Sequence, residues 1–188
     1  MYDQWKNKLI DQLKDKNNIL LKTETLAVVK DAYAKARHHF LILPFDESLD
    51  TIYDLDQYSI ETLNEMELLA KNITELMGNK EENYKIGFHS DPSMKRLHLH
   101  VVSKDFDSPA LKNKRHWNSF NTEFLLPIDK IRNDLNKFGV VQKMSAEKIK
   151  DLLNTPLKCN TCNYVPKHMP DLKNHLLKHA DQYVKLNT

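Results

Sequence analysis

The 188-residue sequence has no long apolar run. Nothing in it approaches the eighteen or so residues that a membrane-spanning helix needs, and Met1 to Asn18 alternates charge with isolated apolar side chains instead of building the apolar centre of a signal peptide. A soluble, intracellular chain with no membrane partner is expected. Cysteine is nearly absent: the two present, Cys159 and Cys162, are separated by two residues, which excludes a disulfide framework and suits a metal pair or a redox pair in a reducing compartment. Neither sign of charge dominates, since 28 Lys and Arg stand against 26 Asp and Glu for a formal net charge of +2. Nucleic-acid binding therefore cannot be read from bulk charge and has to come from local clusters. Internal repeats and low-complexity stretches are also missing. What is there, 40% hydrophobic residues, suffices for one ordinary domain and a small appendage.

Periodicity outlines the elements. Trp5, Leu9, Ile10 and Leu13 form one stripe at helical spacing, so a helix is expected over Asp3 to Leu13. Leu26 to Val29 and His38 to Leu43 read as a pair of strands, the second ended by Pro44. Ile60, Leu63, Met66, Leu69, Ile73, Leu76 and Met77 recur every three or four residues until Gly78, the best helix in the chain. Tyr84 to His89 and Leu97 to Val102 are two further strands of a sheet expected to be antiparallel. Shorter helices are expected from Ile128 to Phe138, stopped by Gly139, and from Ala146 to Leu153. The fold class is α+β, with a domain boundary near Asn154 to Leu157.

Chemistry concentrates on one strand. In Arg96-Leu97-His98-Leu99-His100-Val101-Val102 alternation sends Leu97, Leu99 and Val101 to the core and puts Arg96, His98 and His100 on the other face. Histidine is the side chain best suited to move protons or attack phosphorus near neutral pH. His39 and His89 sit on strands that can bring them alongside, and Gly87, on the face of His89, leaves room for a ligand to approach the backbone. From the residues alone, His98 and His100 read as readily as a surface feature or a buried hydrogen-bonded couple, and less readily as part of a mononuclear metal site, which needs a carboxylate or further histidine nearby.

The tail is more specific. Cys159, Cys162, His175 and His179 match the Cys2His2 zinc pattern, and four such ligands satisfy tetrahedral Zn²⁺ without an open position. His175 and His179 are expected one turn apart on a helix begun near Pro170. Lys112, Lys114, Arg115, His116 and Trp117 make the densest basic and aromatic cluster, a composition able to contact phosphates and stack on a base or sugar. Lys167 and Lys173 in the tail suggest further contacts to a nucleic-acid backbone.

The string His98-Leu99-His100-Val101-Val102 resembles the core of the histidine triad (HIT) superfamily of nucleotide hydrolases and transferases. The stretch Phe88 to Phe120, above all Leu111-Lys112-Asn113-Lys114-Arg115-His116-Trp117-Asn118-Ser119-Phe120, resembles its aprataxin branch, the DNA-adenylate hydrolases. That resemblance implies a HIT-like antiparallel sheet with packed helices over 1–153 and a small Cys2His2 zinc-finger domain over 154–188. It implies His98 as the nucleophile toward AMP on a DNA 5′ end, passing through a covalent His–AMP intermediate, with 3′-linked GMP caps as related substrates. His100, His39 and His89 would orient His98, bind nonbridging oxygens and handle the leaving group. Asp31 would hold the ribose hydroxyls, with Lys35, Ser93 and Met94 at other nucleotide-binding positions, and Trp5 would pack on an exposed terminal base pair. Where the superfamily has its first triad histidine this chain has Arg96. The cofactor expected is structural Zn²⁺ in the finger, with none required for catalysis. The partners expected are 5′-adenylated DNA ends and nicks, AMP as product, and DNA repair proteins, for a monomer in the nucleus and also the cytoplasm. Two other readings stand beside this one: a small-nucleotide hydrolase of the same superfamily, cleaving phosphoramidates or dinucleoside polyphosphates, and a noncatalytic zinc-finger DNA-binding adaptor.

Overall fold

Leu26–Lys30 (β2) and His39–Pro44 (β3) are short runs rich in branched side chains, and the chain reverses between them to pair antiparallel, with Val28 opposite Ile42. Apart from Lys30 both are buried along their length, the burial pattern of strands covered on both faces. Leu99–Ser103 (β5) lies beside β3 and Tyr84–His89 (β4) beside β5; Ile19–Lys22 (β1) and Leu125–Leu126 (β6) close the two edges. The resulting antiparallel sheet has the order β1-β2-β3-β5-β4-β6. β1 and β6 escape a sequence reading because neither is long enough to display a period. The computed structural model describes residues 8–184, so Trp5 and the first turn of the helix expected over Asp3 to Leu13 lie outside the described residues; the described helix is Lys8–Lys14 (α1).

One face of the sheet carries the main core. Val28, Phe40, Ile42, Leu99 and Val101 pack against Leu63, Met66 and Ile73 of Ile60–Leu76 (α2) and against Ile131 and Leu135 of Ile128–Phe138 (α4). Gly139 ends α4 with φ +72° and returns its N–H to the Leu135 carbonyl, the left-handed close that glycine makes without a Cβ clash. No described helix is long and apolar enough to cross a membrane.

The opposite face carries the histidines, flanked by two smaller cores. Leu9 and Leu13 of α1 pack on Val29, Leu41, Leu43 and Met94. Beyond the histidines, Val102, Phe106 and Leu111 pack with Trp117 and Phe120 of Lys114–Asn121 (α3). Cys159, Met169, Leu172 and Leu176 of the tail complete that same core. Ala146–Asn154 (α5) joins through Asn118, whose side-chain amide donates to the carbonyls of Leu153 (3.0 Å) and Thr155 (2.8 Å).

Two expectations need correction. The strand expected over Leu97 to Val102 starts two residues later, because Arg96 has φ +77° and turns the chain before β5 begins. Trp117, expected to face DNA, is 1% exposed and meets the Phe106 ring edge-on at 5.0 Å, so it has no face left to stack on a base. The basic segment around it is helical: the Asn113 side chain accepts from the His116 N–H, and helical spacing turns Trp117 and Phe120 inward together. Because Trp117 lies at the centre of a core shared with the tail, Trp117→Ala is expected to cost about 3–5 kcal/mol and to loosen the tail. Urea denaturation with proteolysis of the tail checks this, and a loss below about 1 kcal/mol with an unchanged cleavage pattern would contradict the shared core.

Candidate active site and metal centre

Register on β3, β5 and β4 brings the histidines together. His39 pairs with Val102 and Leu41 with His100, which sets His39 and His100 on one face; Gly87 lies opposite His100, and His89 follows two residues along on that face. His98 immediately precedes β5. Ring centroids are 5.2 Å apart for His39 and His100, 4.2 Å for His89 and His100, and 4.8 Å for His98 and His100. Phe120 stands edge-on to His39 and His100 and tilted against His89, an apolar wall that seats all three rings. Phe120 is a site residue that the sequence marks only by its spacing of three from Trp117, which puts both on one helix face.

The hydrogen bonds assign the protons of His39, His100 and His98. The Lys35 backbone N–H donates to His39 Nδ1 (3.1 Å), so the neutral His39 ring carries its proton on Nε2 and gives it to His100 Nδ1 (3.0 Å). His100 is thereby left with an Nε2–H, which is buried without a partner among the described residues. His98 Nδ1 lies 2.8 Å from the Arg96 carbonyl, which can only accept, so the proton is on Nδ1 and the Nε2 lone pair is free. The Asp31 carboxylate accepts the Tyr33 N–H at 2.7 Å and stands 3.5 Å from His39 Nδ1.

Burial keeps these rings neutral. It pushes His39 down to about 4, outweighing the pull of Asp31 the other way. Burial likewise holds His89 and His100 well below the ordinary histidine value, reinforced by the neighbouring imidazoles, and lowers His98 against the opposing hydrogen bond to the Arg96 carbonyl. The sequence alone did not reveal this mutual effect, which needs the four rings brought against one another.

The histidines floor a cleft of about 350 Å³, whose wall includes Asp31, Lys35, Ser93, Met94, Lys112, Arg115 and His116. Tyr33, Asp91 and Phe124 also line it and were not singled out from the sequence. Burial lowers the Lys35 ammonium, and Lys112 adds to this against the opposing Asp31. Three expectations fail here. Arg96 is not on the cleft face with His98 and His100; its guanidinium is buried on the far side of the turn, against the end of β3. Gly87 opens no space for a ligand, because a Cβ there would meet the Leu126 carbonyl oxygen at 2.6 Å: the room is taken by β6. Lys114 turns away from the cleft and donates to the Asn154 carbonyl at the end of α5 (2.8 Å). Lys173 borders a separate depression that Lys112 also lines, and Lys167 is exposed beside neither.

The tail gathers Cys159, Cys162, His175 and His179, whose ligand atoms lie within 4.8 Å of one another. His175 belongs to Met169–Leu176 (α6), begun one residue before Pro170 and capped by the His168 side chain. His179 is not on the same helix: α6 ends at Leu176, and His179 follows a turn and precedes Ala180–Tyr183 (α7). The His175 Nε2 is 3.2 Å from both the His179 Nε2 and the Cys162 Sγ. Tetrahedral Zn²⁺ with Zn–N near 2.0–2.1 Å spaces nitrogens roughly 3.3 Å apart, so this crowding of lone pairs fits the ion. Asp31, His39 and His100 are also within 4.8 Å, but the two rings already share a hydrogen bond.

The buried rings make stability depend on pH. An unfolded chain takes up protons near 6.5, whereas folded His39 does so only near 4; the unfolded state therefore binds more protons in that window, and stability falls as pH drops from about 6.5 toward 4. His39 alone contributes on the order of 3 kcal/mol to this loss. A urea midpoint that stays flat across the window would contradict the neutral cluster. For the tail, Cys162→Ala is expected to lose bound zinc and lower the melting temperature; unchanged zinc content and melting would refute the ligand set.

Comparison with known proteins gives the family and the fold. Residues 4–116 match the family described as Scavenger mRNA decapping enzyme C-term binding, and residues 121–182 match the C2HE / C2H2 / C2HC zinc-binding finger. An aprataxin-like protein of Drosophila melanogaster is 40% identical over 175 residues, covering 93% of this chain and 26% of that one. Aprataxin of Gallus gallus is 37% identical over 176 residues, 93% of this chain and 55% of that one. The chain thus spans about half the length, or less, of these relatives. The fold matches a crystal structure of the aprataxin ortholog Hnt3 in complex with DNA, with TM-score 0.72, 24% identity, and 97% of this chain and 96% of that chain covered. The chain belongs to the family described as Scavenger mRNA decapping enzyme C-term binding, continues into a C2HE-type zinc-binding finger, and is similar to aprataxins over most of its length.

Proposed function

We propose that this chain is a DNA 5′-adenylate hydrolase that removes AMP from abortive ligation intermediates in single-strand break repair. The observation that carries the reading is the His98 ring: buried, neutral, held by Nδ1 on a carbonyl, with Nε2 free at the floor of a nucleotide-sized cleft. The similarity to aprataxins supports the adenylated DNA end among nucleotide substrates.

In this mechanism the Nε2 lone pair attacks the phosphorus of AMP in line, and the bond from that phosphorus to the bridging oxygen of the DNA 5′-phosphate breaks. The 5′-phosphate leaves with the electron pair, and AMP remains on His98. Water then attacks the same phosphorus, the P–N bond breaks, and AMP departs. The unpartnered Nε2–H of His100 is available to a nonbridging oxygen, where charge accumulates. His89, which lines the cleft with its ring against His100, is assigned to the departing oxygen. Asp31 serves the ribose hydroxyls, Ser93 and Met94 the nucleotide, and Lys35 the phosphate. Lys112, Arg115 and His116 at the rim, with Lys173 farther along, serve the DNA backbone. Zinc supplies structure to the tail; the chemistry is assigned to the histidines. A 3′ end carrying GMP presents the phosphorus of GMP to the same ring, with the DNA 3′-phosphate as leaving group, and is a second substrate. Such substrates place the protein in the nucleus, with repair proteins as partners, acting as a monomer.

His98→Ala is expected to lower AMP release from an adenylated nicked duplex by about 10³-fold or more. Equal release by the wild type and the variant would remove His98 from the mechanism. Turnover of a small adenosine phosphoramidate far above that of the duplex would turn the assignment to a small-nucleotide hydrolase.

A further inference from the structure

Arg96 occupies the one triad position where this chain departs from histidine, and its surroundings give it a task of its own. Its Nη1 donates to the carbonyls of Asp46 (2.9 Å) and Phe45 (3.1 Å), with Pro44 at 3.4 Å, so a single guanidinium nitrogen gathers the carbonyls at the end of β3. Nη2 stands 3.7 Å from the Glu47 carboxylate, which is largely in water and adds little. The main chain is tied to the same segment. The Arg96 N–H donates to Asp50 Oδ1 (3.1 Å), and the next residue, Leu97, donates to the Leu49 carbonyl (2.8 Å). Residues 44–50 are themselves fastened to the sheet, where the Phe45 N–H donates to the Thr25 carbonyl at 2.8 Å.

The carbonyl of the same residue is the acceptor of His98 Nδ1–H. Arg96 also has φ +77°, a backbone state that a long side chain adopts only when its surroundings enforce it. The two tautomers of a free imidazole differ little in energy, so whatever holds this carbonyl in place decides which nitrogen of His98 keeps the proton.

We propose that Arg96 is a positioning residue for the nucleophile: its guanidinium, clamped on the carbonyls of residues 44–46, holds the left-handed turn whose own carbonyl fixes His98 with Nε2 free. The proposal rests on the reading of His98 as nucleophile, but the tautomer can be measured without turnover.

The test compares the wild type with Arg96→Met, which removes the clamp, with Arg96→Gly, which removes it while accepting the left-handed turn, and with Arg96→Lys, which restores a buried donor. Long-range ¹H–¹⁵N NMR of the imidazoles reports the His98 tautomer, and AMP release from adenylated nicked DNA gives kcat and KM. The Nδ1–H form is expected in the wild type and a mixture of tautomers in Met and Gly variants. In those two, kcat is expected to fall on the order of 10- to 100-fold with KM changed less than about threefold, and Lys is expected to recover part of both signals. Retention of the Nδ1–H tautomer and of kcat in the Gly variant would overturn the proposal, because the turn would then suffice without the clamp. An Nε2–H tautomer in the wild type would overturn it even if every variant failed to fold. A shifted tautomer in the variants, together with His98→Ala as active as the wild type, would instead leave the clamp standing and remove the nucleophile assignment.

Discussion

The site depends on withholding water from a cluster of imidazoles: His39, His98 and His100 are each 5% exposed or less, and His89 Nε2 is buried beside them. A histidine in water is partly protonated near neutral pH; one surrounded by Phe120, Phe124 and other neutral rings is not, because its cation would have neither water nor a counter-charge close enough to compensate. Neutrality makes the hydrogen-bond chain directional. Each ring has one donor and one acceptor, so the Lys35 N–H at one end dictates the state of His39, and His39 dictates that of His100. His98 is set separately, by a carbonyl. Two independent constraints thus leave one free lone pair and one free N–H at the cleft floor, the complement of an electrophilic phosphorus and its charged oxygen.

The wall that seats the rings is also the roof of the tail. Phe120 faces the histidines on one side and, through Trp117 and Phe106, the core that holds Cys159, Met169, Leu172 and Leu176 on the other. Arg37 extends the connection, pairing with Asp107 (3.0 Å) and Asp181 (2.6 Å). The Cys2His2 cluster and the histidine face are accordingly parts of one packing unit, although separate motifs mark them in the sequence.

What the sequence made legible follows from range. The helix over residues 60–76, strands β2 to β4 and the zinc ligands announce themselves through local periods and spacings, and the structure has them within a residue or two. The convergence of His39, His89, His98 and His100 was inferable because strand alternation fixes faces and the triad string suggested the purpose. The side of Arg96, the fate of Trp117 and the crowding at Gly87 were not legible. Each depends on a contact distant in sequence: β3 carbonyls for Arg96, Phe106 and the tail for Trp117, the Leu126 backbone for Gly87. A composition able to bind DNA also suits a buried helix face, and only tertiary packing tells the two apart.

The most direct measurement is to quench the enzyme during turnover on a 5′-adenylated duplex under conditions that preserve phosphoramidates, then map the adduct by mass spectrometry. An AMP increment is expected on the peptide that contains His98, localised to that ring and absent when His98 is replaced. Rapid turnover with no adduct at any time point, or an adduct on another histidine, would contradict it.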